Sequence, residues 1–127
     1  KNMNTYDIKK HLIGVGIRPS CAGLNYLSEE IMEAMEASKK ILFYNLHQEV
    51  AKKYNTTPGA VERGARHAMQ RAMDENPNFF DDIGSSDFFL DKKFTLSDFV
   101  YSVAYQLQEK ERLNGKDNCL LKSEVSA

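Results

Sequence analysis

The chain has 127 residues, of which 42% are hydrophobic and 28% are charged, and its formal net charge is −1. This length and composition predict one domain with a single hydrophobic core. No apolar run approaches about 18 residues, which argues against a membrane span, and no signal-peptide pattern opens the sequence. Because the two cysteines lie far apart, the pattern is not that of a disulfide scaffold, and we expect a cytoplasmic protein.

Charge is distributed unevenly along the chain. Residues 46–73 carry five cations and two anions, whereas residues 74–98 carry seven anions and two cations. A basic block beside an acidic block indicates two surfaces suited to different partners, although two solvated faces would give the same counts.

Apolar residues recur at helical spacing in most of the sequence, and no segment alternates with the period of a strand. The pattern predicts helices over about 6–15, from Ser20 to a break near Ala37, over 39–54 and 58–73, a short helix within 79–94, and a last helix from Thr95. In the second of these, Glu29, Glu30, Glu33 and Glu36 are predicted to lie mostly off the apolar face. We therefore predict an all-α fold, a compact bundle of about six helices, with a domain over 1–113 and a polar, flexible tail over 114–127.

A helix-turn-helix is predicted between His47 and Arg66. Ala51 is small enough for a second helix to approach closely, and the polar Asn55-Thr56-Thr57 forms a short turn. Thr57 followed by Pro58 is typical of an N-cap with proline in the first helical turn. An ordinary helical hairpin with a solvated face would show the same local pattern.

Helical spacing divides the second helix of this hairpin into two faces. The inward positions are predicted to be Val61, Ala65, Ala68 and Ala72. The outward positions are predicted to be Ala60, Glu62, Arg63, Arg66, His67 and Gln70. Arginine can donate two hydrogen bonds to guanine and glutamate can accept one from cytosine. Lys52, Lys53, Thr56 and Thr57 suit contacts with the DNA backbone.

The segment AKKYNTTPGAVERGARHAMQRAM resembles the C-terminal effector domain of the stage-zero sporulation protein A family of response regulators. The similarity extends over most of Ile8 to Leu107. It implies a six-helix fold, sequence-specific binding to double-stranded DNA at promoter boxes, and head-to-tail self-association on tandem boxes. It also implies that Glu62 and Arg63 read bases, with Arg66 and His67 as companions by position.

Some residues depart from the family pattern. The family has a Ser-Arg pair where this chain has Gly59-Ala60, and losing a base-facing arginine removes ~1–3 kcal/mol of discrimination. Gly64 is expected to cost up to ~1 kcal/mol of helix stability relative to alanine. The family's loop before the last helix contacts RNA polymerase sigma factor, but the acidic, aromatic segment from Phe79 to Phe94 does not match it closely.

Other classes of function find little support in the sequence. His11, His47 and His67 lack the spacing of a metal site, and each is predicted to be a surface or packing residue. No nucleophile motif or phosphate loop is present, so we predict no enzymatic activity and no cofactor. The alternative is an interaction module of the same fold that has lost specific DNA binding. The near-zero net charge and Ala60 favour that alternative, and the retained Glu62, Arg63, Arg66 and His67 argue against it.

Overall fold

The structure, a computed structural model, describes residues 3–36, 43–84 and 93–126, with side chains described as far as Asn114. These residues form α1 (Thr5–Val15), α2 (Ala22–Glu36), α3 (Phe43–Lys53), α4 (Pro58–Glu75), α5 (Phe79–Asp82) and α6 (Leu96–Ser126). The described ranges contain no strand. The prediction of an all-α bundle of about six helices is confirmed.

The second helix, α2, lies at the centre of the bundle and contacts α1, α3, α4 and α6. Each surrounding helix turns its apolar side chains toward this centre. The largest fully buried side chains are Phe79, Phe99, Ile8, Leu12, Ile17, Leu27, Ile31, Leu46, Met69, Ile83, Leu96 and Leu107. The main core therefore contains residues from the first helix to the last.

The ends of the helices follow from local side-chain chemistry. The Thr57 hydroxyl accepts a hydrogen bond from the Ala60 amide at 3.1 Å, which caps the start of α4 as predicted. Thr95 and Asp98 cap the start of α6 reciprocally, at 2.9 and 3.1 Å. Gly16 ends α1 with a φ of 119°, a left-handed conformation that strongly favours glycine.

Two helices, α2 and α4, cross with their backbones close together at a pair of glycines. A Cβ on Gly23 would lie 2.5 Å from both the Cβ of Ala68 and the carbonyl oxygen of Gly64. A Cβ on Gly64 would lie 2.9 Å from the ring of Tyr26. Gly64 therefore does more than lower helix propensity, because its missing side chain lets the two helices meet.

One prediction about α2 is wrong. Glu30 was expected off the apolar face, but it is fully buried and its carboxylate pairs with Nδ1 of His47 on α3. The apolar spacing of α2 could not reveal this contact, because the partner lies 17 residues away in sequence. A buried carboxylate is tolerated only where such a partner compensates for the water that it has lost.

Two further predictions concern segments at the edges of the described residues. The backbone of α6 continues as helix through residues 114–126, which the sequence analysis assigned to a flexible tail, and the division of the chain at residue 113 stays a prediction. In the aromatic segment, Phe79 begins the predicted short helix and is buried. Phe88 and Phe89 lie outside the described residues, as does the predicted break near Ala37.

Candidate nucleic-acid interface

The third and fourth helices form the predicted helical hairpin. The chain leaves α3 at Lys53 and enters α4 at Pro58. Asn55, in the turn, has a φ of 54°, and asparagine adopts this left-handed conformation more readily than most residues. Val50, Ala51 and Val61 form a small buried cluster between the two helices, flanked by Tyr26 and Tyr54. Ala51 thus occupies the position of close approach that the sequence predicted.

The two faces of α4 are divided as predicted. Val61, Ala65, Ala68 and Ala72 are all buried against the core. Arg63, Arg66, His67 and Gln70 are exposed, whereas Ala60 and Glu62 are half-buried. The fourth helix therefore presents a polar face with donors and acceptors of the kinds that read base edges.

Arg63 lies on this face with an exposed side chain. Among the described residues it makes no hydrogen bond and no ion pair, and its Nη1 lies over Gly59, 3.3 Å from where a Cβ would be. Because Gly59 has no side chain, it leaves room for the guanidinium group. Five N–H donors of Arg63 remain for a ligand.

Glu62 and Arg66, one turn apart on α4, form an ion pair with each other. An ordinary solvated helix face would also show such a pair, which contributes only about 0.3 kcal/mol. The structure brings the two predicted base-reading residues together, so each must share or leave its partner to contact a base. His67 is exposed one position further along the helix.

The two lysines at the end of α3 differ in their surroundings. Lys52 is exposed and lies 3.6 Å from the exposed carboxylate of Glu49. The ammonium group of Lys53 donates a hydrogen bond at 2.8 Å to Glu29 on α2, and this contact raises the pKa of Lys53. The raised pKa keeps Lys53 positively charged, but its ammonium group already forms an ion pair with Glu29.

The two threonines of the turn occupy the space between the helices. Thr56 is half-buried, and its amide donates to the carbonyl of Ala51 at 2.9 Å. Thr57 is exposed, and its hydroxyl oxygen is the acceptor in the α4 cap. The hydroxyl hydrogen of Thr57 is still able to donate to a phosphate oxygen.

Sequence reasoning missed the contribution of α2 to this surface. Glu29 holds Lys53, and Tyr26 packs edge-on against Tyr54 with ring centroids 5.6 Å apart. Beneath them, Glu30 and His47 join α2 to α3, and burial raises the pKa of Glu30. These contacts connect residues 17 to 28 positions apart, so the periodicity of one helix carries no signal for them.

The aromatic side chains near α5 serve mainly the core. Phe79 is buried and stacks on Phe99 at 5.5 Å, and the half-buried Phe80 and Phe94 pack edge-on against it. In the part of the segment that the structure describes, these rings are therefore not presented as a hydrophobic docking surface. Asp81 and Asp82 remain exposed beside them.

Comparison with protein families places this hairpin in a known context. Residues 8–107 match the family described as Sporulation initiation factor Spo0A C terminal. The chain belongs to this family. It is accordingly the effector domain of a sporulation transcription regulator of the response-regulator type. The resemblance that the sequence showed is confirmed over the range that it predicted.

The family is one of DNA-binding regulatory domains, and the matched residues include the whole α3–α4 hairpin. No helix within the described ranges is both long enough and apolar enough to cross a membrane. The match identifies the kind of domain, and the role of each side chain has to be argued from the site itself.

Proposed function

We propose that this domain binds double-stranded DNA in a sequence-specific manner, with the first half of α4 in the major groove. In this arrangement Glu62, Arg63, Arg66 and His67 contact base edges, and Lys52, Lys53, Thr56 and Thr57 contact the backbone. A recognition helix of a helix-turn-helix commonly contacts bases through its N-terminal residues. Arg63 and His67 lie one turn apart on the exposed face of α4, which supports this orientation.

The observation that carries the proposal is the available guanidinium of Arg63, one turn into α4 and above the open backbone of Gly59. An arginine in this position can donate two hydrogen bonds to O6 and N7 of one guanine. Each such pair contributes about 1–3 kcal/mol of discrimination against a wrong base. Arg63 is therefore the residue on which we expect specificity to depend most.

The ion pair between Glu62 and Arg66 suits the same role. On a matching sequence, Glu62 accepts from a cytosine amino group and Arg66 donates to a guanine or a phosphate, so both regain partners. On a mismatched sequence, Glu62 and Arg66 lose each other as partners and find no hydrogen-bond partner on the bases. The pair thus favours DNA sites that offer a hydrogen-bond partner to both Glu62 and Arg66.

The proposal includes the setting in which the domain works. Two copies occupy tandem promoter boxes head to tail, in the cytoplasm, and a sigma factor of RNA polymerase is the expected protein partner. The acidic surface at Asp81 and Asp82 lies outside the α3–α4 hairpin, so it stays available while α4 is on DNA. The regulator needs no enzymatic activity for any of these contacts.

A fluorescence-anisotropy titration tests the proposal. The domain is titrated with a duplex carrying tandem sporulation-regulator boxes and with a scrambled duplex, at two salt concentrations. We expect the boxes to be preferred by about 10³-fold or more. Arg63→Ala should lose about tenfold or more on the boxes and little on the scrambled duplex. Arg112→Ala, which removes an exposed arginine on α6, serves as the matched control and should bind as the unaltered domain does.

Two results would contradict the proposal. Equal affinity for boxes and scrambled duplex would show that α4 does not read these boxes, and a selection from random sequence would then have to find a preferred site. Failure to bind either duplex would favour an interaction module that has kept the fold and lost DNA binding.

A further inference from the structure

We propose that Glu29 competes with DNA for Lys53 and limits affinity, because it engages part of the Lys53 ammonium group that contacts the phosphate backbone. This inference rests on the proposed function, because it concerns the same surface. It assigns to α2 a part in DNA binding that the helix-turn-helix pattern does not assign to it.

The geometry around Glu29 is specific. Its side chain is only 12% exposed, and its Oε1 accepts from the ammonium of Lys53 at 2.8 Å. Its Oε2 lies 3.5 Å from the hydroxyl of Tyr54, the first residue of the turn. The carboxylate is thus fixed from two sides beside the end of α3, next to the turn that is expected to face DNA.

The Lys53 side chain, in contrast, is 60% exposed and can reach solvent. An ammonium group has three donors, and Glu29 occupies one of them. A phosphate that approaches Lys53 therefore finds one ammonium donor already used. The Glu29 carboxylate next to it is negatively charged and repels the phosphate. Because Glu29 is largely shielded from water, its repulsion of the phosphate is screened less than that of an exposed acid.

The neighbouring pair of Lys52 and Glu49 shows the difference. Its two groups are 3.6 Å apart, and both side chains are more than half exposed. Water and salt screen such a pair, so Lys52 can exchange Glu49 for a phosphate at little cost. Glu29 and Glu49 thus sit beside consecutive lysines but differ in burial, which makes Glu49 a matched control.

The direct test compares Glu29→Gln with Glu49→Gln in the anisotropy titration. Glutamine keeps the shape but carries no charge. Its amide oxygen can still accept from Lys53, and its amide NH2 group can donate to the hydroxyl oxygen of Tyr54. We expect Glu29→Gln to bind the boxes about threefold more tightly. The dependence of log K on log salt should steepen by up to about one unit, because the phosphate contact of Lys53 is no longer shared with a carboxylate. Glu49→Gln should change affinity less than about twofold, with an unchanged slope.

A double-mutant cycle separates competition from a merely structural role. If Glu29 competes for Lys53, Lys53→Ala weakens binding less in the unaltered domain than in the Glu29→Gln background. If Glu29 instead orients Lys53 productively, the order is reversed and the proposal is overturned. Thermal melting of each variant, followed by circular dichroism, shows whether the fold is intact.

The outcomes also separate this inference from the proposed function. An unaltered domain that binds DNA, together with a Glu29→Gln variant that binds equally or more weakly, would overturn only the role of Glu29. An unaltered domain and a Glu29→Gln variant that both fail to bind any duplex would overturn the two proposals together.

Discussion

The central helix α2 holds the two helices of the hairpin by different means. It meets α4 through Gly23, Gly64 and Ala68, which let the backbones approach closely. It meets α3 through two polar contacts, the buried hydrogen bond between Glu30 and His47 and the outer ion pair between Glu29 and Lys53. Close apolar packing depends little on pH or salt, whereas ion pairs depend on both. The fourth helix is therefore held against α2 by close packing, whereas α3, which carries Lys52 and Lys53, is held partly by polar and charged contacts.

The largest effect is expected from Glu30→Ala. The substitution leaves His47 buried without its partner and opens space in the contact between α2 and α3, so it should lower the free energy of unfolding by about 3 kcal/mol. Urea denaturation measures the change. Glu36→Ala, at an exposed position near the end of the same helix, should stay within about 0.5 kcal/mol. Equal losses of unfolding free energy in the two variants would mean that the contact between Glu30 and His47 does not stabilise the fold.

The same pair should make stability depend on pH. Burial raises the pKa of Glu30 above its ordinary value of 4.5, and His47 opposes the shift. The pKa of Tyr101 on α6 is also raised, first by burial and then by the charge of Glu30. The folded state thus keeps a proton that the unfolded chain has released. The stabilisation is fully present below about pH 4.5 and is lost as the pH rises through the folded-state pKa.

Urea denaturation of the unaltered domain and of Glu30→Gln, at several pH values from 4 upward, tests this dependence. Relative to the variant, the unaltered domain should lose stability as the pH rises. A constant difference at every pH would show that Glu30 titrates alike in the folded and unfolded states.

The contact between α2 and α4 should be broken by Gly23→Ala. The new Cβ would lie 2.5 Å from the Gly64 carbonyl oxygen, which belongs to the backbone and cannot simply rotate away. We expect a loss of about 2–3 kcal/mol that changes little with pH or salt. Gly14→Ala is the control, since its Cβ would meet nothing within 4 Å, and it should stabilise α1 by up to about 1 kcal/mol.

A smaller effect is expected from Gly64→Ala. The Cβ would lie 2.9 Å from the ring of Tyr26, a side chain that can shift, and alanine favours the helix. We therefore expect a net loss of about 1 kcal/mol in thermal or urea unfolding. In a Tyr26→Ala background the same substitution should become stabilising. A loss of the same size in both backgrounds would show that Tyr26 is not what excludes a side chain.

The smallest effect concerns the outer ion pair. Lys53→Met should lower the free energy of unfolding by less than about 1 kcal/mol at low salt, because the lysine is largely exposed. The difference should shrink further in 1 M salt, where charges are screened within about 3 Å. A loss that persists at high salt would indicate that the methylene groups of Lys53, rather than its charge, hold α3.

The sequence predicted what depends on neighbouring residues. The cap at Thr57, the inward face at Val61, Ala65, Ala68 and Ala72, and the close approach at Ala51 all follow from local spacing, and the structure confirms them. The sequence could not predict which residues pair with Glu29 and Glu30, nor that a glycine is required at position 64. Those depend on how α2 crosses α3 and α4, which no single helix specifies. The roles of individual side chains on DNA stay predictions.

The most direct test of the account is a titration of the ¹⁵N-labelled domain with the tandem-box duplex, followed by amide chemical shifts. If α4 enters the groove, the largest changes should fall on residues 52–57 and on the amides of Glu62, Arg63, Arg66 and His67. The amides of α1 should hardly move. Changes confined to α5 and the start of α6, or no changes with a folded domain, would contradict DNA recognition by α4.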